Sequence, residues 1–346
     1  MLKNSALDWW INSNPFTKKE LDLLKTDRSV EIKLSKKYDK LSDYFFNKIP
    51  NSNISTKTHE ISLAIHATTL IQLLFKKYVN NDTLVICTDG EHNSAKSCIE
   101  KSKNVLYLSY NDDILRKRTN CINNITKESK KYKNVFVYII GTQISNGVIT
   151  PQLFFKELKN KLIQENINHI LVIDDVHGMF LVPRDYSIFD YIIYTAHVLT
   201  LNYDMGICIN KLGLHRVGYK IYNWLEDYIK CLEIILKRSE KLYTFKPVLF
   251  DVFSTFLNFK NFYMPEYGSP QIFSPYIINL NSSHKESLKR IMKNFNISLE
   301  ISENKLLIRN RIGEMILYNN DDKEKFLKGL NFLYDFLLNL EENDDL

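Results

Sequence analysis

The sequence predicts an α/β protein, with a mostly parallel, doubly wound sheet in a large domain and a small α+β domain after it. Three observations carry this. Short runs of β-branched and aromatic residues recur through the middle of the chain, separated by helix-length stretches of mixed polarity. The runs are nearly continuous in apolar character, as strands covered on both faces are. Four prolines, Pro247, Pro265, Pro270 and Pro275, then punctuate one stretch, where a change of domain is expected.

In chain order, residues 1–50 are polar and helix-like and read as an N-terminal arm, with Trp9-Trp10 expected to pack elsewhere in the molecule. A helical pattern covers Ile61 to Tyr78. Strands are expected at Leu84 to Cys87, Val105 to Leu108, Val135 to Ile140, Ile170 to Ile173, Tyr191 to Tyr194 and Gly206 to Ile209. Arg216 to about Tyr243 reads as one long helix. The large domain is placed at residues 51–245 and the small one at 246–346. The latter is expected to hold strands near Tyr276 to Leu280, Ile297 to Ile301, Leu306 to Arg309 and Met315 to Tyr318. Its helices fall near Lys285 to Phe295 and Asp322 to Leu340, before an acidic tail.

The 346 residues, 45% hydrophobic and 25% charged, suffice for a substantial core. The net charge of +6 comes from lysines spread over helical faces, without the dense block that a nucleic-acid partner calls for. Met1 to Asp8 lack the apolar run of a signal peptide, and no segment approaches the roughly 20 apolar residues of a membrane helix. A cytoplasmic protein without a membrane partner is expected. Five cysteines, odd in number and without CxxC spacing, read as free thiols and argue against disulfides and a metal site.

In sheets of this type, ligands bind beyond the carboxyl ends of the strands. Four segments there carry suggestive chemistry. His66-Ala67-Thr68-Thr69 puts two hydroxyls and backbone N–H groups at a helix start, a phosphate-type site or simply a cap. Thr88 to Ser94 passes through a Gly turn into a helix, with His92 as cap, core residue or functional group. Gly141 to Pro151 is a polar loop after a strand. Most specific is Asp174-Asp175 after four apolar residues, with His177 three positions after Asp174. A buried Asp needs a cation to stay charged. A protonated heterocyclic nitrogen would serve; so would an internal Asp–Arg pair, and a helix cap would need none.

Taken in order, these segments resemble the fold-type I pyridoxal-phosphate family, especially its class V aminotransferase and cysteine desulfurase branch, with some likeness to the α-oxoamine synthases. Glu91-His92-Asn93-Ser94 resembles the segment whose His stacks on the pyridine ring. Ser145-Asn146-Gly147-Val148-Ile149-Thr150-Pro151 resembles the loop whose Asn lies near the substrate and the ring oxygen. Ile173-Asp174-Asp175-Val176-His177-Gly178 is similar to the signature in which the Asp pairs with the pyridinium nitrogen and the His lies beside the ring. Asp190 to His197 resembles the strand whose hydroxyl and His hold the phosphate, here Thr195 and His197, with Thr68 and Thr69 as further phosphate contacts. Ile308-Arg309-Asn310-Arg311 followed by Tyr318-Asn319-Asn320-Asp321-Asp322 resembles the stretch whose Arg clamps the substrate carboxylate. The match runs from about residue 60 to residue 340.

The chain departs from the pattern after His197, where the family's lysine should stand and Val198 does. That amine holds the cofactor covalently and moves the substrate's α-proton. No cysteine follows Cys231, so the persulfide chemistry of the desulfurases is disfavoured too. Three readings result. The resemblance implies an enzyme on an amino-acid-like substrate, holding pyridoxal or pyridoxamine phosphate non-covalently, with His197 or His177 as base. A second reading repurposes the pocket for another ligand or cofactor-independent chemistry, Arg309 or Arg311 still binding carboxylate. The third is an inactive subunit. The family's habit of pairing implies a homodimer.

Overall fold

The computed structural model describes residues 40, 42–49, 51–143, 149–180, 182–195, 205–218, 233–234, 236, 262–263, 276–279, 285–295, 299–302, 305–308 and 320–342. All six expected strand runs form strands: β2 (Thr83–Thr88), β3 (Val105–Leu108), β4 (Asn134–Ile140), β5 (His169–Asp174), β6 (Tyr191–Thr195) and β7 (Gly206–Lys211). A seventh, β1 (His59–Ala64), completes a sheet of order β1-β7-β6-β5-β4-β2-β3. Every pairing is parallel except those of β7, which runs against both β6 and β1.

β1 corrects the helix expected from Ile61 to Tyr78. The helix α1 starts only at Ala67 and runs to Tyr78, and the residues before it repeat with period two. Ile61 and Leu63 face one core, and Ala64 faces the other. Along β4 the same alternation sends Val135, Val137 and Ile139 to one side and Phe136 and Tyr138 to the other. Both faces are therefore buried, which is why the strands read as continuous apolar runs. Each such residue contributes about 1.5–3 kcal/mol by leaving water.

Helices α1 and α2 (Asn93–Ile99) cover one face through Leu70, Ile71, Leu74, Ala95 and Ile99. The other face is covered by α3 (Arg118–Ser129) and α4 (Gln152–Gln164), through Ile122, Ile125, Phe154, Phe155, Leu158 and Leu162. A π-helical segment, Tyr110–Arg116, leads into α3, and Phe45 and Phe46 join the same core.

The long helix expected from Arg216 does not begin there. Residues 215–218 are not helical: Arg216 is drawn into an ion pair with Glu60 on β1, and Gly218 has φ of +107°, a left-handed conformation that interrupts a helix. Farther along, residues 233, 234 and 236 are helical.

A second sheet, wholly antiparallel, has the order β10-β11-β9-β8 and draws all its strands from beyond residue 261: β8 (Phe262–Tyr263), β9 (Tyr276–Asn279), β10 (Leu299–Ser302) and β11 (Lys305–Ile308). Helix α5 (Lys285–Asn294) buries Leu288 and Met292. The last helix, α6 (Asn320–Glu342), buries Leu330, Leu333 and Leu337, a single stripe at helical spacing. Trp9, Trp10 and the strand expected at residues 315–318 lie outside the described residues.

Candidate active site

The carboxyl ends of β2, β4, β5 and β6 converge on one edge of the large sheet, and the residues expected to bind there sort by face. Asp174 closes β5 on the side covered by α1 and α2. It is 3% exposed, and its Oδ2 accepts a hydrogen bond from the hydroxyl of Tyr138 at 2.6 Å, while Oδ1 takes the Val176 N–H at 3.4 Å. Burial raises its pKa, opposed by the Tyr138 bond, the Val176 N–H and the nearby His92. Among the described residues no lysine, arginine or histidine forms an ion pair with it.

Asp175 has the opposite surroundings. One residue on, its N–H still donates to Ile193 across to β6, so the side chain turns to the other face. There its Oδ2 accepts the hydroxyl of Tyr186 and lies 3.1 Å from Arg184 Nε, an ion pair off the line of a hydrogen bond. Both members are fully enclosed. Arg184 also donates to the carbonyls of Thr150 at 2.8 Å and Gly141 at 2.6 Å. The internal Asp–Arg pair that the sequence left open therefore exists, on Asp175, and Asp174 is the carboxylate without a basic partner among the described residues.

His92 is the N-cap of α2. Its Nδ1 accepts from the Ser94 N–H at 3.3 Å and lies 2.7 Å from the Ser94 hydroxyl, and the ring is exposed. His92 thus caps the helix on the same side of the sheet edge on which it acts electrostatically to lower the Asp174 carboxyl. Thr68 and Thr69 stand in the first turn of α1, Thr68 exposed and Thr69 partly so, with no acidic residue in that turn. The helix start lies against β7: a Cβ on Gly206 would come within 2.6 Å of the Ala67 nitrogen, so only glycine lets strand and helix approach this closely. Gly206 pairs in register with Thr195, the last residue of β6, and Thr195 donates to the Met205 carbonyl at 3.3 Å. Thr195, Gly206 and the N–H groups opening α1 thus make one corner, with the positive end of a helix dipole in it.

His177 sits half-buried on the turn after β5. Asn146, His197, Val198, Arg309 and Arg311 lie outside the described residues. Four residues that the sequence reading passed over belong to this edge: Glu91, Tyr138, Arg184 and Tyr186. A tyrosine within the apolar β4 run was a visible sign; nothing in the sequence separates Glu91 from an exposed loop carboxylate.

No protein-family model matches the chain, and no curated protein matches it in sequence. Among solved structures it is similar to a NifS-like protein from Rickettsia africae, with a TM-score of 0.63, 12% identity and 89% of each chain covered. A second NifS-like protein gives 0.61 and 13% identity over 95% of this chain and 94% of the other. A serine palmitoyltransferase from Sphingomonas wittichii gives 0.60 and 10% identity over 88% and 77%. The chain has the fold of the fold-type I pyridoxal-phosphate enzymes. At such identities the likeness to these structures carries the fold alone. Among the described residues, no helix is long and apolar enough to cross a membrane.

Proposed function

We propose that the chain is a class V aminotransferase-like enzyme that binds pyridoxal or pyridoxamine phosphate non-covalently and acts, as a transferase or lyase, on an amino-acid-like substrate. The supporting observation is Asp174: a carboxyl enclosed at the end of β5, with a tyrosine hydroxyl and a backbone N–H but no described basic partner, while its neighbour Asp175 has taken the arginine. A buried carboxylate left this way calls for a cation, and a protonated ring nitrogen fits.

In this reading Asp174 holds the ring nitrogen and His92 lies against the ring. Thr68, Thr69, Thr195 and the opening N–H groups of α1 bind the phosphate, together with His197. Asn146 orients the ring oxygen and the substrate, and Arg309 or Arg311 binds the substrate carboxylate. When bound, the cofactor supplies an electron-withdrawing cationic ring that stabilises negative charge at the substrate's α-carbon. With Val198 in the lysine position, a histidine takes the proton: His197 is the first candidate and His177 the second, since an imidazole titrates near working pH. The same reading expects a homodimer.

Absorbance titration with pyridoxal 5′-phosphate and pyridoxamine 5′-phosphate tests it. A saturable spectral change with either, borohydride leaving no fixed adduct, is the expected result; no change with both sinks the proposal. Val198→Lys should create an adduct that borohydride fixes. A second reading, an inactive subunit, draws on Val198 and on the His92 Nδ1 being taken up by Ser94 as a helix cap. It requires that His92→Ala and Asp174→Asn leave the protein's activity or partner binding unchanged, whereas the enzyme loses turnover in both.

A further inference from the structure

Glu91 is an ionisable group of this edge that the proposed function leaves unused. Connections run from β2 outward to β3, and from β4 through β5 and β6 the other way, so the strand order reverses between β2 and β4, where a crevice forms beyond the strand ends. The β2–β4 ladder stops at Ile86 and Val137. Past that point the carboxyl of Glu91 fills the gap. Its Oε1 accepts the Thr88 N–H at 3.0 Å, the Thr88 hydroxyl at 2.6 Å and the Ile140 N–H at 3.3 Å, stapling the two strands together. Its Oε2 is enclosed without a hydrogen-bond partner, and the residue is 3% exposed.

Among the described residues, Asp174 on β5, Tyr138 on β4, Cys87 on β2 and Tyr110 opening the π-helical segment interact with it electrostatically, and each is an acid. Among the described residues no lysine or arginine would compensate a second negative charge there, since Arg184 is committed to Asp175 on the other face.

We propose that Glu91 is a positioning residue of the ligand pocket, an un-ionised carboxylic acid that clamps the His92 loop across the β2–β4 gap and leaves Asp174 as the enclosed carboxylate to which a ligand cation is drawn. Its ligand-directed part rests on the reading of the pocket as a pyridine-phosphate site. Burial pushes the Glu91 carboxyl up to about 8, against the Thr88 and Ile140 bonds, so it keeps its proton at neutral pH. Oε1 then acts as a carbonyl-type acceptor for three donors. Sequence adjacency makes the clamp direct, because His92 is the next residue.

Glu91→Gln preserves the acceptor and the neutral state, and Glu91→Ala removes both. On the ligand-free chain, proton release on unfolding is measured between pH 6 and 7. Unfolded Glu91 is ionised there and folded Glu91 is not, so wild type should release about one more proton per chain than Glu91→Gln; equal release overturns the charge assignment. Titration with pyridoxamine 5′-phosphate at pH 6.5 reads the clamp. Glu91→Gln should bind within about twofold of wild type and Glu91→Ala about tenfold more weakly, the scale of losing buried hydrogen bonds. Binding by Glu91→Ala equal to that of Glu91→Gln overturns positioning. If wild type binds neither pyridine phosphate, the pocket reading and the clamp's ligand role both fall, and the proton count still decides the charge of Glu91.

Discussion

The two faces of the sheet at the end of β5 treat adjacent carboxylates in opposite ways. On the α4 face, the Oδ2 of Asp175 is held by an arginine and a tyrosine while its Oδ1 is enclosed without a hydrogen-bond partner, and the arginine is itself spent on two backbone carbonyls. On the α1 face, Asp174 has one hydroxyl and one N–H. Removing one member of the first network strands a charge, whereas the second lacks a described cation from the start. The faces thus divide the labour, the first holding the strand ends together and the second leaving a binding capacity open.

Arg184→Ala should produce the largest effect. It leaves Asp175 buried without its cation and frees the carbonyls of Gly141 and Thr150, so a loss of about 3–5 kcal/mol is expected in denaturant unfolding. A loss below about 1 kcal/mol, the scale of exposed ion pairs, would mean that this face is not the structural one. Tyr186→Phe comes next: it removes one donor to Asp175 while the ion pair survives, which costs about 1–3 kcal/mol with the slope against denaturant unchanged.

The contrast between the faces was partly legible in the sequence. Unbroken apolar runs gave the strands because both faces are buried, and the polar residues after them gave the edge at which a ligand binds. Which carboxylate carries the arginine was not legible. The pair depends on Arg184 returning from beyond the turn, and on an alternation that only the β6 partner of Asp175 continues. β1 was hidden because six strand residues run almost directly into a helix, and their period of two was absorbed into the longer pattern. Glu91 was hidden for a topological reason: the gap it fills exists only once β4 is known to return beside β2. The resemblance singled out His92 in the same tetrapeptide, and its role as the α2 cap was equally readable from its position before Asn93.

Asp174→Asn is the smallest change to stability and the sharpest test of the division. Folding raises the Asp174 carboxyl above its unfolded value, so the wild-type protein's stability from this group is fully present at acid pH and is lost as pH rises through the folded value. Asparagine keeps the shape, offers the Tyr138 hydroxyl an acceptor and removes the charge. The ligand-free variant should therefore be as stable as wild type at neutral pH, or more so by about 1 kcal/mol, with a flatter dependence as pH rises above the ordinary carboxylate range. Addition of pyridoxal 5′-phosphate or pyridoxamine 5′-phosphate should reverse the order: wild type gains thermal stability by mass action and the variant gains little. Thermal melts with and without each compound measure both halves. A variant clearly less stable than wild type in the ligand-free state would place Asp174 with Asp175 among the structural carboxylates, because a group whose removal costs folding is one the fold already satisfies.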